Sequence, residues 1–127
     1  MKIEHAAWNV EDPRAMANWY VENLDMKIVR AGDAPAHARF LADSSGRILV
    51  EIYNNPAVNC PDYRQIDPLV LHLAFLSDDV KTDIARLVKA GATVHQDYTV
   101  AESGDEMAML RDPWGFAVQL MKRTQPM

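Results

Sequence analysis

The run Leu69-Val70-Leu71-His72-Leu73-Ala74-Phe75-Leu76 begins a pattern that the chain has already used once. It reads as a strand over 69–76, with Val70, His72, Ala74 and Leu76 on one face. Near the N-terminus, Ile3 to Val10 reads the same way. Ile3, His5, Ala7 and Asn9 take one face, and Glu4, Ala6, Trp8 and Val10 take the other. Each strand thus carries one histidine on a face of small or apolar residues.

The segments after these two strands repeat as well. Glu11-Asp12-Pro13 starts a helix, with Asp12 as N-cap and Pro13 at the first helical position. Met16, Trp19, Tyr20 and Leu24 form its packing stripe. Strands are expected at Met26 to Arg30, His37 to Ala42 and Arg47 to Tyr53, separated by turns at Gly32 to Pro35 and Asp43-Ser44-Ser45-Gly46. In the second half Ser77-Asp78-Asp79 caps a helix bearing Val80, Ile84, Leu87 and Val88, which Gly91 ends. A strand comes next at Thr93 to Gln96, then a polar loop from Tyr98 to Glu106 and a strand at Met107 to Leu110. The turn Asp112-Pro113-Trp114-Gly115 leads to the last strand, Phe116 to Lys122.

His5 therefore corresponds to His72, Gly46 to Gly115, and Glu51 to Gln119. The expected class is α+β, with two βαβββ modules. One such module cannot bury both its helix and its sheet, so the pattern predicts a single domain over 1–127. Module 1 spans about 1–56, a Pro- and Asn-rich connector about 57–68, and module 2 about 69–127.

Composition narrows the function. At 127 residues, 49% hydrophobic and 24% charged, the chain is an ordinary globular protein long enough for a sizeable core. A net charge of -5 with scattered basic residues argues against nucleic-acid binding. The longest apolar run is far too short to span a bilayer, and the N-terminus lacks a signal-peptide core. The lone Cys60 excludes an internal disulfide, fits a cytoplasmic location, and reads as an inert loop thiol.

Four polar residues then stand out. Glu51 lies within Leu49-Val50-Glu51-Ile52-Tyr53, and Gln119 within Ala117-Val118-Gln119-Leu120-Met121. A carboxylate in the middle of an apolar strand is costly to bury without a partner. Two imidazoles and two oxygen donors at repeat-equivalent positions (His5, Glu51, His72 and Gln119) make a ligand set for a divalent metal with room for substrate. Each residue alone has a plainer reading. Either histidine suits an ordinary strand, and Glu51 suits a solvent-facing position if Ile48, Val50 and Ile52 form the buried side. His37 and His95 lack the symmetry and read as surface residues.

Ile3-Glu4-His5, Asp12-Pro13 and Trp19-Tyr20-Val21-Glu22-Asn23-Leu24 together resemble the opening of glyoxalase/bleomycin-resistance/dioxygenase proteins, the vicinal oxygen chelate superfamily. The ending Leu110-Arg111-Asp112-Pro113-Trp114-Gly115-Phe116-Ala117-Val118-Gln119-Leu120 resembles that family's last ligand strand. The resemblance implies a cupped mixed sheet around a central site, a metal (nickel, cobalt, manganese, iron or zinc) and a homodimer. In glyoxalase I the ligand positions hold His or Gln, Glu, His and Glu. His5, Glu51 and His72 match, and Gln119 departs where that enzyme has its base. Gln119 also departs from the final-strand Glu of extradiol dioxygenases and fosfomycin-resistance enzymes. Methylmalonyl-CoA epimerases resemble the set with amide and carboxylate exchanged between modules.

The chemistry such a set implies is lyase or isomerase chemistry on a small oxygenated metabolite, through an enediolate. Glu51 is the one carboxylate of the four, and serves as ligand, base or both; water on the ion is the other candidate base. Asn9, Tyr53 and Trp114 are candidate substrate contacts. The alternative is a metal-free, ligand-sequestering protein like the bleomycin-resistance proteins, its groove lined by aromatics drawn from Trp8, Trp19, Tyr20, Tyr53, Tyr63 and Trp114.

Overall fold

A computed structural model describes residues 1–46 and 49–127. Arg47 and Ile48, the expected start of one strand, lie outside the described residues. The chain divides into two compact units, Met1–Pro61 and Asp62–Met127, with the division inside the expected connector.

The first unit runs β1 (Ala6–Asn9), α1 (Pro13–Asn23), β2 (Lys27–Ala31), β3 (Arg39–Ala42) and β4 (Leu49–Tyr53). The second runs β5 (Leu73–Leu76), α2 (Val80–Lys89), β6 (Thr93–Val100), β7 (Glu106–Arg111) and β8 (Ala117–Lys122). Each unit is one four-stranded mixed sheet with the same strand order, β1-β4-β3-β2 and β5-β8-β7-β6. In each, the first and last strands pair parallel and the others antiparallel.

Local chemistry sets the helices. The Asp12 carboxylate accepts from the backbone N–H groups of Arg14 and Ala15 and starts α1, with Pro13 next. Met16, Trp19, Tyr20 and Leu24 are buried as the periodicity predicts, and α1 lies on β2, β3 and β4 over Leu41, Val50 and Ile52. Asp79 caps α2 through Thr82, and these hydrogen bonds hold its carboxyl below the usual range. The stripe on α2 is narrower than expected, because Val88 is exposed while Val80 and Leu87 are buried.

Several boundaries differ from expectation. β5 starts at Leu73 rather than Leu69, since Asp67 accepts the Leu69 N–H on its side chain and the Val70 N–H on its carbonyl, forming a turn. β1 likewise starts at Ala6, so both histidines precede their strands. β3 starts at Arg39. Its guanidinium donates to the carbonyls of Gly32, His37 and Ala38, and His37 takes a left-handed conformation with φ 46°. The expected polar loop from Tyr98 to Glu106 is shortened at both ends: Tyr98, Thr99 and Val100 continue β6, as aromatic and β-branched residues favour, and Glu106 opens β7.

The connector holds a 3-10 helix, Tyr63–Gln65, capped by Asp62. Its anchor is Tyr63, buried against Phe116 with ring centroids 5.1 Å apart. The Arg111 guanidinium donates to the carbonyls of Tyr63, Ile66 and Gly115. Gly115 sits at φ +90°, and a Cβ there would lie 2.3 Å from Arg64 Cγ and 3.0 Å from Arg64 N. Only glycine allows that backbone approach.

Candidate metal and ligand site

Each unit sets its donors in the same register within its own sheet. In the first, Ala7 of β1 pairs with Glu51 of β4; in the second, Ala74 of β5 pairs with Gln119 of β8. His5 precedes Ala7 by two residues and His72 precedes Ala74 by two. The small side chains of Ala7 and Ala74 are exposed and leave space beside each oxygen donor.

Within the first unit the structure brings His5 and Glu51 together, with His5 Nε2 3.2 Å from Glu51 Oε2. His5 Nδ1 contacts the Glu4 carboxylate. The hydrogen bond to Glu4 raises the His5 pKa above the ordinary histidine value; desolvation opposes it, and the charges of Glu4 and Glu51 add to it. Phe40 meets the His5 ring edge-on, with centroids 5.6 Å apart. Glu51 is half-buried and projects from the face opposite the buried Val50 and Ile52. It therefore points away from the helix.

In the second unit, His72 Nδ1 lies 2.6 Å from the Pro68 carbonyl oxygen. A carbonyl has no proton to give, so Nδ1 carries the hydrogen, and Nε2 is the nitrogen left to bind an ion in the neutral ring. Gln119 is half-buried on a strand otherwise buried from Ala117 to Met121, and its amide has no hydrogen-bond partner among the described residues. These donors suit a divalent ion that accepts nitrogen and oxygen ligands. Within the described residues no group of three or more His, Cys, Asp or Glu side chains is gathered for a metal.

Of the candidate substrate contacts, Tyr53 and Trp114 are half-buried. Asn9 is buried, and its amide is engaged with the backbone: Nδ2 donates to the Val58 carbonyl and Oδ1 accepts from Asn55 N–H at 2.7 Å. It ties down the loop after β4. Trp8, Trp19, Tyr20 and Tyr63 are buried, which leaves Tyr53 and Trp114 of the aromatic set near solvent. The Cys60 thiol donates to the Asn9 carbonyl, and burial, then the charge of Glu11, raises its pKa, as suits an unreactive thiol. An open groove of about 410 Å³ between α2 and β6, lined by Lys81, Ile84, Ala85, Asp97 and Tyr98, holds none of the candidate residues.

The sequence model of the Glyoxalase/Bleomycin resistance protein/Dioxygenase superfamily matches residues 2–120. The chain belongs to that superfamily. A glyoxalase family protein from Enterococcus faecalis is 28% identical, with a TM-score of 0.71 over 95% of this chain and 97% of that one. Glyoxalase I from Zea mays shares the fold at 23% identity and a TM-score of 0.76, over 98% of this chain and 45% of its own, so this chain spans less than half of that enzyme. TnmS3, an antibiotic binding protein from Streptomyces sp. CB03234, shares it at 22% identity and a TM-score of 0.71, over 98% and 99%. No curated protein matches the sequence. No helix of the described residues is long and apolar enough to cross a membrane.

Sequence reasoning missed the residues that orient the histidines. Pro68 stands four positions before His72, and Glu4 is adjacent to His5. Phe40 was missed as well, although it lies directly opposite Glu51 in the ladder.

Proposed function

We propose that this superfamily member is a divalent-metal-dependent lyase or isomerase acting on a small oxygenated metabolite through an enediolate. His5, Glu51, His72 and Gln119 are its ligands, two from each unit. The observation that supports this is the duplicated register: in each unit a histidine stands two residues before the alanine that pairs with the oxygen donor, Glu51 or Gln119.

An ion held by these residues would supply Lewis-acid chemistry, stabilising negative charge as it develops on the substrate's oxygens. Glu51 removes the proton from the carbon next to the carbonyl and returns it to the neighbouring atom. Gln119 presents a neutral oxygen and takes no proton at neutral pH. The Pro68 carbonyl and the Glu4 carboxylate fix the rings of His72 and His5. Tyr53 and Trp114 contact the substrate. Asn9, already engaged with the loop backbone, acts by holding that loop.

The same reading makes 1–127 one domain of a cytoplasmic homodimer. Support comes from the exposed Leu69, Val70 and Leu76, apolar surface suited to a second copy.

Elemental analysis of tag-free protein tests the proposal. Wild type is expected to hold stoichiometric metal and a His5→Ala/His72→Ala variant none. No metal in wild type after incubation with nickel, cobalt, manganese, iron and zinc overturns it. The second reading, a metal-free ligand-sequestering protein, then takes over; the half-buried aromatic side chains of Tyr53 and Trp114, near solvent, suit it.

A further inference from the structure

Across the face of the first sheet that carries Glu51, four residues stand in one row. Arg30 is opposite Phe40, Phe40 opposite Glu51, and Glu51 opposite Ala7. Directly opposed residues on neighbouring strands project from the same face. The Arg30 guanidinium carbon lies 5.7 Å from the centre of the Phe40 ring. His5 approaches the same ring at 5.6 Å, so guanidinium and imidazole are at most 11.3 Å apart, the sum of the two centroid distances. Arg30 is exposed, and no carboxylate among the described residues forms an ion pair with it.

Arg30 reaches this row through a bulge. Ile28 faces Leu41, and the next pair in register is Arg30 with Phe40, so Val29 is the extra residue. In an unbulged register Val29 would face Phe40, and Arg30 would fall on the helix side. The second sheet has the same irregularity. Val94 faces Leu110 and the next pair is Gln96 with Met109, leaving His95 extra. The equivalent row there is Gln96, Met109, Gln119 and Ala74. Both sheets thus bulge to bring one residue into the row of the oxygen donor, and in the first sheet that residue is a cation.

We infer that Arg30 receives a carboxylate of the substrate or ligand. The site then takes a short-chain acid with two neighbouring oxygens at one end and a carboxylate at the other. The inference rests on the proposed function for the oxygen end only. A guanidinium presents two parallel N–H donors that match a carboxylate, and one positive charge matches its single negative charge. Stacking over Phe40 restricts the guanidinium beforehand, so less freedom is lost on binding.

Two probes separate the ends. 2-Oxoglutarate and 2-oxobutyrate share an α-keto acid, and only the first has a distal carboxylate. Calorimetric titration of the manganese-loaded protein is expected to show about a tenfold preference for 2-oxoglutarate, the scale of one charge-assisted contact. Raising the salt concentration weakens that preference. In Arg30→Gln the preference disappears while 2-oxobutyrate binds as before. That variant installs the residue that the second sheet carries at this place, and its unfolding midpoint is expected to equal that of wild type. No preference in wild type, no binding of either probe, or a preference that survives in Arg30→Gln overturns the assignment. Repeating the titrations with EDTA tests the other end. Equal weakening of both probes upholds the metal reading, whereas unchanged binding overturns that reading and leaves the Arg30 assignment standing.

Discussion

Gly115→Ala is expected to destabilise the second unit well beyond the ordinary cost of losing a glycine. Two effects contribute. The first is conformational: at φ +90° an alanine costs about 1 kcal/mol, a penalty any left-handed glycine would share. The second is steric. The added methyl would lie 2.3 Å from Arg64 Cγ, 3.0 Å from Arg64 N and 3.3 Å from its Cα. The side-chain atom can swing away; the backbone atoms cannot, because Tyr63 is buried on Phe116 and the Arg111 guanidinium holds the carbonyls on either side. Forcing the connector outward costs about 1–3 kcal/mol, the range for overpacked interiors. The total is about 2–4 kcal/mol. Gly91→Ala is the control, since its φ is +100° and its Cβ would meet Pro113 Cγ at an ordinary 3.5 Å. It should lose about 1 kcal/mol, the conformational cost alone. Urea unfolding followed by tryptophan fluorescence measures both. Adding Arg64→Ala to Gly115→Ala should recover only part of the loss, because the backbone contacts remain. Equal losses in the two glycine variants, or complete recovery in the double variant, would refute the close-approach argument.

Arg111→Met should destabilise by about 2–4 kcal/mol, since three connector and turn carbonyls lose a charged donor together; a loss under about 0.5 kcal/mol in urea unfolding would show that the staple is dispensable. Asp105 accepts from Thr124 N–H, the Arg123 guanidinium and the Thr124 hydroxyl, and the Thr124 backbone bond, then Arg123, holds its carboxyl below the usual range. Its stabilising contribution is therefore complete above the unfolded carboxyl pKa, about 3.9, and fades as pH falls through the lower folded value. Wild type should exceed Asp105→Asn in stability at neutral pH and lose that advantage in acid; a constant difference down to about pH 2 would refute the assignment. Glu51→Gln should abolish turnover on the true substrate with metal retained, and equal turnover would remove Glu51 as base. Gln119→Glu, which restores a second carboxylate, should raise glyoxalase-like turnover on the hemithioacetal of methylglyoxal and glutathione; no gain would show that the second unit's oxygen donor plays no part in proton transfer.

Much of the fold was legible because its signals are local. Asp12-Pro13 and Asp78-Asp79 announce helices through short-range bonds, the alternation in β4 separates Glu51 from its buried neighbours, and Gln119 stands out as the one polar residue among the apolar ones of Ala117 to Met121. The strand starts were not legible. Leu69-Val70-Leu71 has strand composition, yet the Asp67 turn holds it, and a turn wins when a side chain can satisfy the backbone first. The structure within the connector depends on Arg111, whose acceptors lie 45 to 48 residues away for Ile66 and Tyr63. The pairing of His5 with Glu51 came from the internal repeat. Arg30 and Phe40 did not, because a bulge shifts the count by one and periodicity alone would assign Val29 to that row. Asn9 shared the right face but bonds to a loop nearly 50 residues on.

The bulges also bear on how such a sheet diversifies. β2 and β6 are outer strands, each paired along one side only. A one-residue shift in the register of either strand would exchange the group presented in the row of Glu51 or Gln119, across Phe40 or Met109, without a change in the pairing of β3 with β4 or of β7 with β8. The outer strands are thus where register, rather than residue identity alone, sets which side chain joins the row of each oxygen donor, at a distance from the buried residues under the helices.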